Sequence, residues 1–217
     1  MRTLFISAKS KNQLASLDNI ILNKMPKKIA LFYSIQFKTQ AEELRKQLKT
    51  KKTTNFSQVL GCSKPKISKS TKAILLIGSG RFHGISLAQE TNLPVFILEN
   101  NKLTEIFPKE VDILKQKQKA SLVKYFNAKK IGILISTKPG QENLTRAINL
   151  KKSIKNKSSY LYIANEINPA EFENFPQIES WVNTACPRMD MNSSKIINSD
   201  KIKHSQFQIL FSKLQLL

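Results

Sequence analysis

Two runs of apolar residues, each followed by a helix-like segment, most constrain the fold of this chain. Lys28-Ile29-Ala30-Leu31-Phe32-Tyr33-Ser34 and Lys130-Ile131-Gly132-Ile133-Leu134-Ile135-Ser136 are continuous hydrophobic runs, offset by 102 positions. Such runs suit strands that are buried on both faces, as in parallel sheets. In both copies a loop and an amphipathic pattern follow, near Gln40 and Gln141. The pattern predicts two degenerate copies of one α/β unit.

Strand and helix patterns alternate through the rest of the chain. The predicted elements are helices at 12–23, 39–49, from 84, 109–128 and 201–217, and further strands at 58–61, 73–77, 94–98, 159–164 and just before Cys186. Alternation of this kind requires parallel sheets with right-handed crossovers. We therefore predict an α/β fold of two similar domains, residues 1–118 and 119–217, each a parallel sheet of about four strands flanked by helices.

The composition indicates a packed protein with a strongly basic surface. Hydrophobic residues make up 41% of the 217 residues, and the net charge is +21. The 36 basic residues, which outnumber 15 acidic ones, are 31 lysines and only five arginines. Arginine is the preferred residue for bidentate contacts with phosphates and base edges. This balance favours an ordinary solvated surface over direct nucleic-acid binding. An acidic partner, whether RNA, a ribosome-associated factor or an acidic protein, stays open as the alternative.

The chain carries no sign of secretion or membrane insertion. It has no run of 18 apolar residues, which excludes a membrane-spanning helix, and residues 1–7 lack the apolar length of a signal peptide. The only two cysteines, Cys62 and Cys186, do not make a secreted disulfide framework. We expect a cytoplasmic protein with reduced, unbridged thiols.

The two cysteines occupy matching places in the two halves. Each follows a short strand-like run, and each precedes a turn-forming segment, Ser63-Lys64-Pro65 after Cys62 and Pro187 after Cys186. Ends of strands are where α/β proteins present ligands and nucleophiles, so the pair suggests one shared site. The alternative is that each cysteine is a small buried hydrophobic residue.

Four segments resemble a known family in order and spacing. They are Gln58-Val59-Leu60-Gly61-Cys62, Gly80-Arg81-Phe82-His83-Gly84, Ile133-Leu134-Ile135-Ser136-Thr137-Lys138-Pro139-Gly140-Gln141 and Trp181-Val182-Asn183-Thr184-Ala185-Cys186-Pro187-Arg188. The resemblance is to the diphthamide biosynthesis enzymes, the 2-(3-amino-3-carboxypropyl)histidine synthases. It extends from about Lys28 to Asp190.

The resemblance implies an iron–sulfur transferase. Members of that family have three similar α/β domains, each of which donates one cysteine to a [4Fe–4S] cluster whose open iron binds S-adenosylmethionine. A 3-amino-3-carboxypropyl radical then adds to a histidine of translation elongation factor 2. By the same resemblance Cys62 and Cys186 are the metal ligands of the second and third domains. No catalytic side chain is assigned.

The resemblance also implies a missing part. The chain begins where the family's second domain begins, so we expect a separate polypeptide to supply the first domain and the third cysteine, in a homo- or hetero-oligomer. Ser79, the segment Phe37-Lys38-Thr39 and the segment Met189-Asp190-Met191 depart from the family pattern. These departures concern substrate handling and leave the expected fold unchanged.

Further residues are candidates for cofactor binding because they follow strands or flank the cysteine motifs. They are Gln36, Gly78, Gly80, Arg81, His83, Lys138, Pro139, Gly140, Gln141 and Arg188. A glycine-rich turn before a helix can hold an anion, although any tight turn also favours glycine. His83 could be structural, Arg188 could form an ordinary salt bridge, and we expect Trp181 to be a core residue.

Two other functions compete with the transferase subunit. The first is a non-catalytic scaffold or accessory subunit that pairs with a complete paralogue and helps to hold or reduce its cluster. The second is an RNA-binding α/β protein, which rests on charge alone. Because the sequence lacks basic patches interleaved with aromatic residues, the RNA alternative is the weaker.

Overall fold

The apolar runs at 28–34 and 130–136 form inner strands of two separate sheets. The structure is a computed structural model and describes residues 3, 4, 6, 8–10, 25–48, 50–60, 64–191 and 193–202. Its contacts divide the chain into two compact units between Ile113 and Leu114. This point lies within one long helix, slightly ahead of the boundary that the sequence predicts at 118/119.

The first unit contains a five-stranded sheet with the strand order β2-β1-β3-β4-β5. Its elements are β1 (Lys28–Tyr33), α1 (Lys38–Gln47), β2 (Lys52–Gln58), β3 (Ala73–Ile77), α2 (Arg81–Thr91), β4 (Val95–Glu99) and β5 (Lys102–Glu105). The strands β1 to β4 are parallel, and β5 pairs antiparallel with β4. Side chains from the two faces of β1 enter two hydrophobic clusters, as expected for a strand buried on both sides.

The second unit contains a parallel four-stranded sheet with the strand order β7-β6-β8-β9. The helix α3 (Pro108–Asn127) leads into β6 (Lys130–Ser136), α4 (Leu144–Ser153), β7 (Ser158–Ala164), β8 (Ser180–Asn183) and β9 (Ile196–Asn198). Short 3-10 helices lie at Pro169–Asn174, Pro187–Met191 and Ser199–Lys201 in this unit, and one at Ile35–Phe37 in the first unit. The predicted α/β fold with two parallel-rich sheets flanked by helices is confirmed.

Several predicted elements differ in position from the observed ones. The strand predicted at 58–61 is wrong, because β2 covers Lys52–Gln58 and ends where the prediction begins. This edge strand has the polar sequence KTTNFSQ and pairs with one neighbour, so it needs no apolar run. The helix predicted from Gly84 begins at Arg81. The helix predicted at 12–23 lies outside the described residues. Of the helix predicted at 201–217, only residues 201 and 202 are described, and Lys201 ends a 3-10 helix.

Two strands were not predicted. The strand β5 follows a two-residue turn of Asn100 and Asn101, whose φ angles are 47° and 61°. Positive φ at both turn positions is what a type I′ hairpin requires, and asparagine tolerates it. The strand β9 has only three residues, which is too short for a periodic pattern. Among the described helices, none has both the length and the apolar character needed to cross a bilayer.

Candidate functional site

The carboxyl ends of the first unit's strands meet at one edge of the sheet. Backbone hydrogen bonds join successive strand ends: Val59 N to Tyr33 O (2.9 Å), Ser34 N to Ile77 O (3.0 Å) and Gly78 N to Leu98 O (3.3 Å). The segment that leads to Cys62 therefore leaves the sheet beside the end of β1. Its last described residue, Leu60, is exposed. Cys62 itself lies outside the described residues.

The glycine turn at 78–80 connects β3 to α2 at this edge. Gly80 has φ = 78°, a conformation that side chains other than glycine rarely adopt. Gly78 lies close to Ser34, because a Cβ on that glycine would stand 3.2 Å from the Ser34 Oγ. That hydroxyl is buried and has no hydrogen-bond partner among the described residues. At this turn a ligand could therefore come close to the backbone, and the buried Ser34 hydroxyl beside it lacks a hydrogen-bond partner among the described residues.

Gln36 and His83 lie on elements that adjoin this edge. Gln36 belongs to the 3-10 helix Ile35–Phe37, directly after β1, and is half-buried. His83 is half-buried on α2, and its ring centroid lies 5.2 Å from that of Phe82. Gly84 allows α2 to approach the sheet, because a Cβ there would stand 2.7 Å from Ile97. The cofactor-binding assignments of Gln36 and His83 stay predictions.

Arg81 is engaged by an acidic partner within its own unit. Its Nε and Nη2 atoms donate to the two carboxylate oxygens of Glu110 at 2.7 and 2.5 Å, and Nη2 also donates to Glu105 O at 2.8 Å. The hydrogen bonds from Arg81 lower the pKa of Glu110, with a further contribution from the Phe107 N–H. This geometry ties the start of α2 to the start of α3. It supports a structural role for Arg81, and its cofactor-binding role stays a prediction.

The turn after β6 carries four of the predicted cofactor-binding residues, Lys138 to Gln141. Ser136 Oγ donates to Asn165 O at 3.1 Å and accepts from Lys138 N at 3.1 Å, which fixes the exit from the strand. Gly140 has φ = 78°. The Lys138 Nζ donates to Glu166 Oε1 at 2.9 Å, and this bond lowers the pKa of the exposed Glu166 carboxyl. The lysine is thus at a strand's carboxyl end, but with an acidic neighbour.

Cys186 lies on a turn that two buried asparagines hold in place. Asn183, at the end of β8, donates from Nδ2 to Cys186 O at 2.8 Å and accepts at Oδ1 from Ala185 N at 2.9 Å. Asn198, at the end of β9, donates from Nδ2 to Pro187 O at 2.7 Å. The same asparagines are joined by a 2.6 Å bond from Asn183 Nδ2 to Asn198 Oδ1. Cys186 is a free cysteine, and the residue is half-buried.

The segment next to this turn is anchored to the sheet. Thr184 donates to Leu134 O from its backbone N at 3.2 Å and from its hydroxyl at 2.8 Å. Arg188 follows in the 3-10 helix Pro187–Met191 and is exposed. Because β6 and β8 are neighbouring parallel strands, the turns after them share the carboxyl edge of the second sheet. That edge is where open α/β sheets bind ligands.

Trp181 is a core residue, as predicted. It is 2% exposed, and its ring stacks on Phe172 with centroids 4.3 Å apart. A cavity of about 150 Å³ beside it is lined by Tyr162, Phe175 and other mostly apolar side chains. Trp181 therefore anchors β8, the strand that leads to Cys186, in the core of the second unit.

Sequence reasoning missed several residues that shape these edges. Asn183 lies in the segment from Trp181 to Arg188, three residues before Cys186. An asparagine at this spacing indicates a side-chain amide that caps a turn. Ser34, Glu110 and Asn198 carry no comparable signal, because their contacts form between segments distant in sequence. Each unit thus brings its own predicted residues to a carboxyl edge, and the two sets lie in separate units.

The second unit's edge fits one ligand of an iron–sulfur cluster. A free, half-buried cysteine on a braced turn at the edge of a sheet is suited to bind a metal group. Within the part of the chain that the structure describes, no three His, Cys, Asp or Glu side chains form a metal-binding group. Cys186 therefore fits as one contributor to such a group, and the described residues do not supply a complete ligand set by themselves.

The sequence is similar, over most of its length, to proteins of diphthamide synthesis. Residues 1–196 match the model of the diphthamide synthesis protein family. The 2-(3-amino-3-carboxypropyl)histidine synthase of Pyrococcus horikoshii is 33% identical over 139 residues, which cover 62% of this chain and 40% of that protein. Subunit 1 of the human synthase is 24% identical over 178 residues, which cover 76% of this chain and 40% of the human protein.

Solved structures show the same relationship in three dimensions. The structure of Dph2 from Pyrococcus horikoshii with a 4Fe-4S cluster matches with a TM-score of 0.68 and 28% identity, over 82% of this chain and 56% of that one. A second structure of the same protein gives a TM-score of 0.70, over 83% and 57%. The chain thus spans about two fifths to three fifths of the length of these relatives.

Proposed function

The chain belongs to the diphthamide synthesis protein family, and from that premise we propose that it is part of a 3-amino-3-carboxypropyl transferase. The donor is S-adenosylmethionine, and the acceptor is a histidine of translation elongation factor 2, in the first step of diphthamide biosynthesis. The complex acts in the cytoplasm. The relatives named as 2-(3-amino-3-carboxypropyl)histidine synthases support this proposal.

In this proposal Cys62 and Cys186 are two thiolate ligands of a [4Fe–4S] cluster. The observation that carries it is the turn at Cys186, where two buried asparagines fix the backbone around a free, half-buried cysteine. The cluster in the Pyrococcus horikoshii structure supports it. Three thiolates leave one iron of such a cluster open to a substrate. When bound, the cluster would supply reductive cleavage of the bond between sulfur and the γ-carbon of S-adenosylmethionine.

The role of this chain's other residues is to bind and orient the donor. The turn at Gly78–Gly80 lets a ligand approach the backbone at the start of α2, and the buried Ser34 hydroxyl offers a hydrogen bond there. Lys138 and Arg188 are cations beside the second edge, suited to the carboxylate of the donor. The hard chemistry belongs to the cofactor, and the protein contributes position and charge.

A third thiolate must come from outside these 217 residues, because the sequence holds only two cysteines. We place it on a separate polypeptide that resembles the family's first domain. The chain and that polypeptide would form a hetero-oligomer with one cluster at their shared site. Two thiolates alone can tether an iron–sulfur fragment, but they leave it open to solvent and exchange.

Anaerobic reconstitution tests the proposal. The chain together with the first-domain polypeptide should bind iron and sulfide, show the visible absorbance of a cluster and cleave S-adenosylmethionine. Cys62→Ala or Cys186→Ala should abolish the absorbance, whereas Ser153→Ala, an exposed change of similar size on α4, should leave it intact. Full cluster loading by the chain alone, unaffected by either cysteine substitution, would contradict the ligand assignment.

A second candidate function is an accessory subunit without catalytic residues of its own. The ion pairs Arg81–Glu110 and Lys138–Glu166 favour it, since both cations already have a partner inside their unit. An accessory chain would pair with a complete paralogue that holds the whole cluster. In that complex Cys186→Ala would leave the cluster in place, which distinguishes this candidate from the first.

A further inference from the structure

The turn that carries Cys186 is held by side chains from two neighbouring strands. Asn183 and Asn198 are Cα partners at the ends of β8 and β9, and they are 2% and 5% exposed. The turn leaves the sheet here, so the carbonyls of Cys186 and Pro187 have no neighbouring strand to bond. The Asn183 amide donates to Cys186 O, which also accepts from Met189 N at 3.2 Å, and the Asn198 amide donates to Pro187 O.

The hydrogen bonds fix the orientation of the Asn183 amide. Its Nδ2 donates to both Cys186 O and Asn198 Oδ1, and its Oδ1 accepts from Ala185 N. A reversed amide would place an oxygen against two acceptors and an NH₂ group against a donor. The arrangement therefore has one satisfied state, and it determines the path of the backbone on both sides of the cysteine.

We propose that Asn198, acting with Asn183, is a positioning residue that sets the presentation of the Cys186 thiol for metal binding. This inference rests on the proposed function for the identity of the metal group and on the structure for the positioning itself. A ligand on an irregular turn must be held within about 0.5 Å of its productive geometry by its surroundings. Outer partners of this kind typically change metal affinity by about 10- to 100-fold when they are removed.

The first test uses the chain without any metal. In a Cys62→Ser background only Cys186 can react with iodoacetamide, and its alkylation rate under native conditions reports how accessible the turn leaves the thiol. Asn198→Ala removes two hydrogen bonds, the one from Asn198 Nδ2 to Pro187 O and the one from Asn183 Nδ2 to Asn198 Oδ1. It should raise the alkylation rate by about tenfold or more, since one net hydrogen bond corresponds to a change of roughly two- to tenfold. If the alanine variant does not fold, Asn198→Ser provides the same measurement with a smaller change.

The matched control is Ile197→Ala, the preceding residue of β9. Ile197 is 2% exposed and packs in a hydrophobic cluster of the second unit, so its truncation lowers stability without removing a bond to the turn. An alkylation rate that rises in Asn198→Ala and stays unchanged in Ile197→Ala supports positioning. Equal rates in the two variants would reduce Asn198 to a general structural role and overturn the proposal.

The second test uses the assembled complex with its cluster. The electron paramagnetic resonance spectrum of the reduced cluster and the iron affinity should both change in Asn198→Ala and match the parent in Ile197→Ala. An unchanged spectrum and affinity in both variants would overturn the positioning role. If no cluster forms even with the parent chain, the proposed function fails, while the alkylation result still decides whether Asn198 positions the thiol.

Discussion

Gly132 of β6 lies directly beside Trp181 of β8, and a Cβ on this glycine would collide with Cε3 and Cζ3 of the indole ring. The ring cannot withdraw easily, because it stacks on Phe172 and contacts Tyr162 edge-on with centroids 4.7 Å apart. Gly132 therefore leaves the space that the indole ring of Trp181, the only tryptophan of the chain, occupies. It also keeps β8, the strand that leads to Cys186, against the sheet.

Gly132→Ala should lower the free energy of unfolding by about 1–3 kcal/mol, the usual range for overpacking a core. Urea unfolding followed by circular dichroism measures it. In a Trp181→Leu background the same substitution should cost much less, because the ring that it strikes is gone. An undiminished cost in that background would show that the penalty comes from the backbone and not from the indole.

The Arg81–Glu110 pair predicts a pH-dependent contribution to stability. The hydrogen bonds from Arg81 lower the pKa of Glu110, so the folded state holds this proton less tightly than the unfolded state does. The stabilisation is therefore present above the ordinary glutamate pKa of about 4.3 and is lost as the pH falls through the lower pKa of the folded protein. For a partly exposed pair it amounts to about 1 kcal/mol or less.

Glu110→Gln should remove this contribution. The variant should be less stable than the parent at pH 7, and the difference should shrink as the pH is lowered below 4. Urea unfolding at both pH values gives the comparison, and Asp112→Asn, an exposed change on the same helix α3, serves as the control. A constant difference across the range would mean that the carboxylate charge is not what Arg81 stabilises.

The parts of the fold that could be predicted are those whose sequence alone carries the burial pattern. The strands β3 and β6 have the bounds that their apolar runs predict, because inner parallel strands are hydrophobic on both faces. The edge strand β2 escaped prediction because one exposed side leaves it free to be polar. The same reasoning explains why strand ends, and with them Cys186 and Lys138, could be placed at a sheet edge.

The bracing of the site could not be predicted, because it depends on register between strands. Asn183 and Asn198 meet only because β8 and β9 pair in one register, and β9 is too short to show a pattern. The same holds for Arg81 and Glu110, which are separated by 29 positions and joined by the start of α3. A single sequence identifies residues near a site more readily than the residues that hold them.

A charge reversal at Lys52, which lies beside Lys28, should stabilise the folded protein. They are Cα partners on β1 and β2, and both are exposed. Like charges side by side on neighbouring strands are destabilising, whereas an opposite pair contributes about 0.2–1 kcal/mol. Lys52→Glu should therefore raise the urea midpoint at low ionic strength, and the gain should fall in 1 M salt, where the Debye length is about 3 Å.

Two controls separate the local pair from the net charge of +21. Lys52→Gln removes the repulsion without creating an attraction and should give a smaller gain. Lys117→Glu makes the same charge change at an exposed position of α3 that has no lysine three or four residues away. Equal gains from Lys117→Glu and Lys52→Glu would assign the effect to the overall charge of the protein.

Removing the charge of Glu166 should raise the affinity for S-adenosylmethionine, because Glu166 forms an ion pair with Lys138, a proposed ligand of this cofactor. The Lys138 Nζ donates to Glu166 Oε1 at 2.9 Å, and the glutamate side chain is 77% exposed. If Lys138 binds the carboxylate of S-adenosylmethionine, Glu166→Gln releases the lysine and should lower the Kd of the assembled complex by about two- to fivefold. Equilibrium binding of S-adenosylmethionine measures this Kd.

The charge-matched control is Glu142→Gln, in the turn after β6. Equal effects of Glu166→Gln and Glu142→Gln would indicate a general change in the electrostatic field around the site. If neither substitution changes the Kd, and Lys138→Ala leaves it unchanged as well, Lys138 is not part of the binding site.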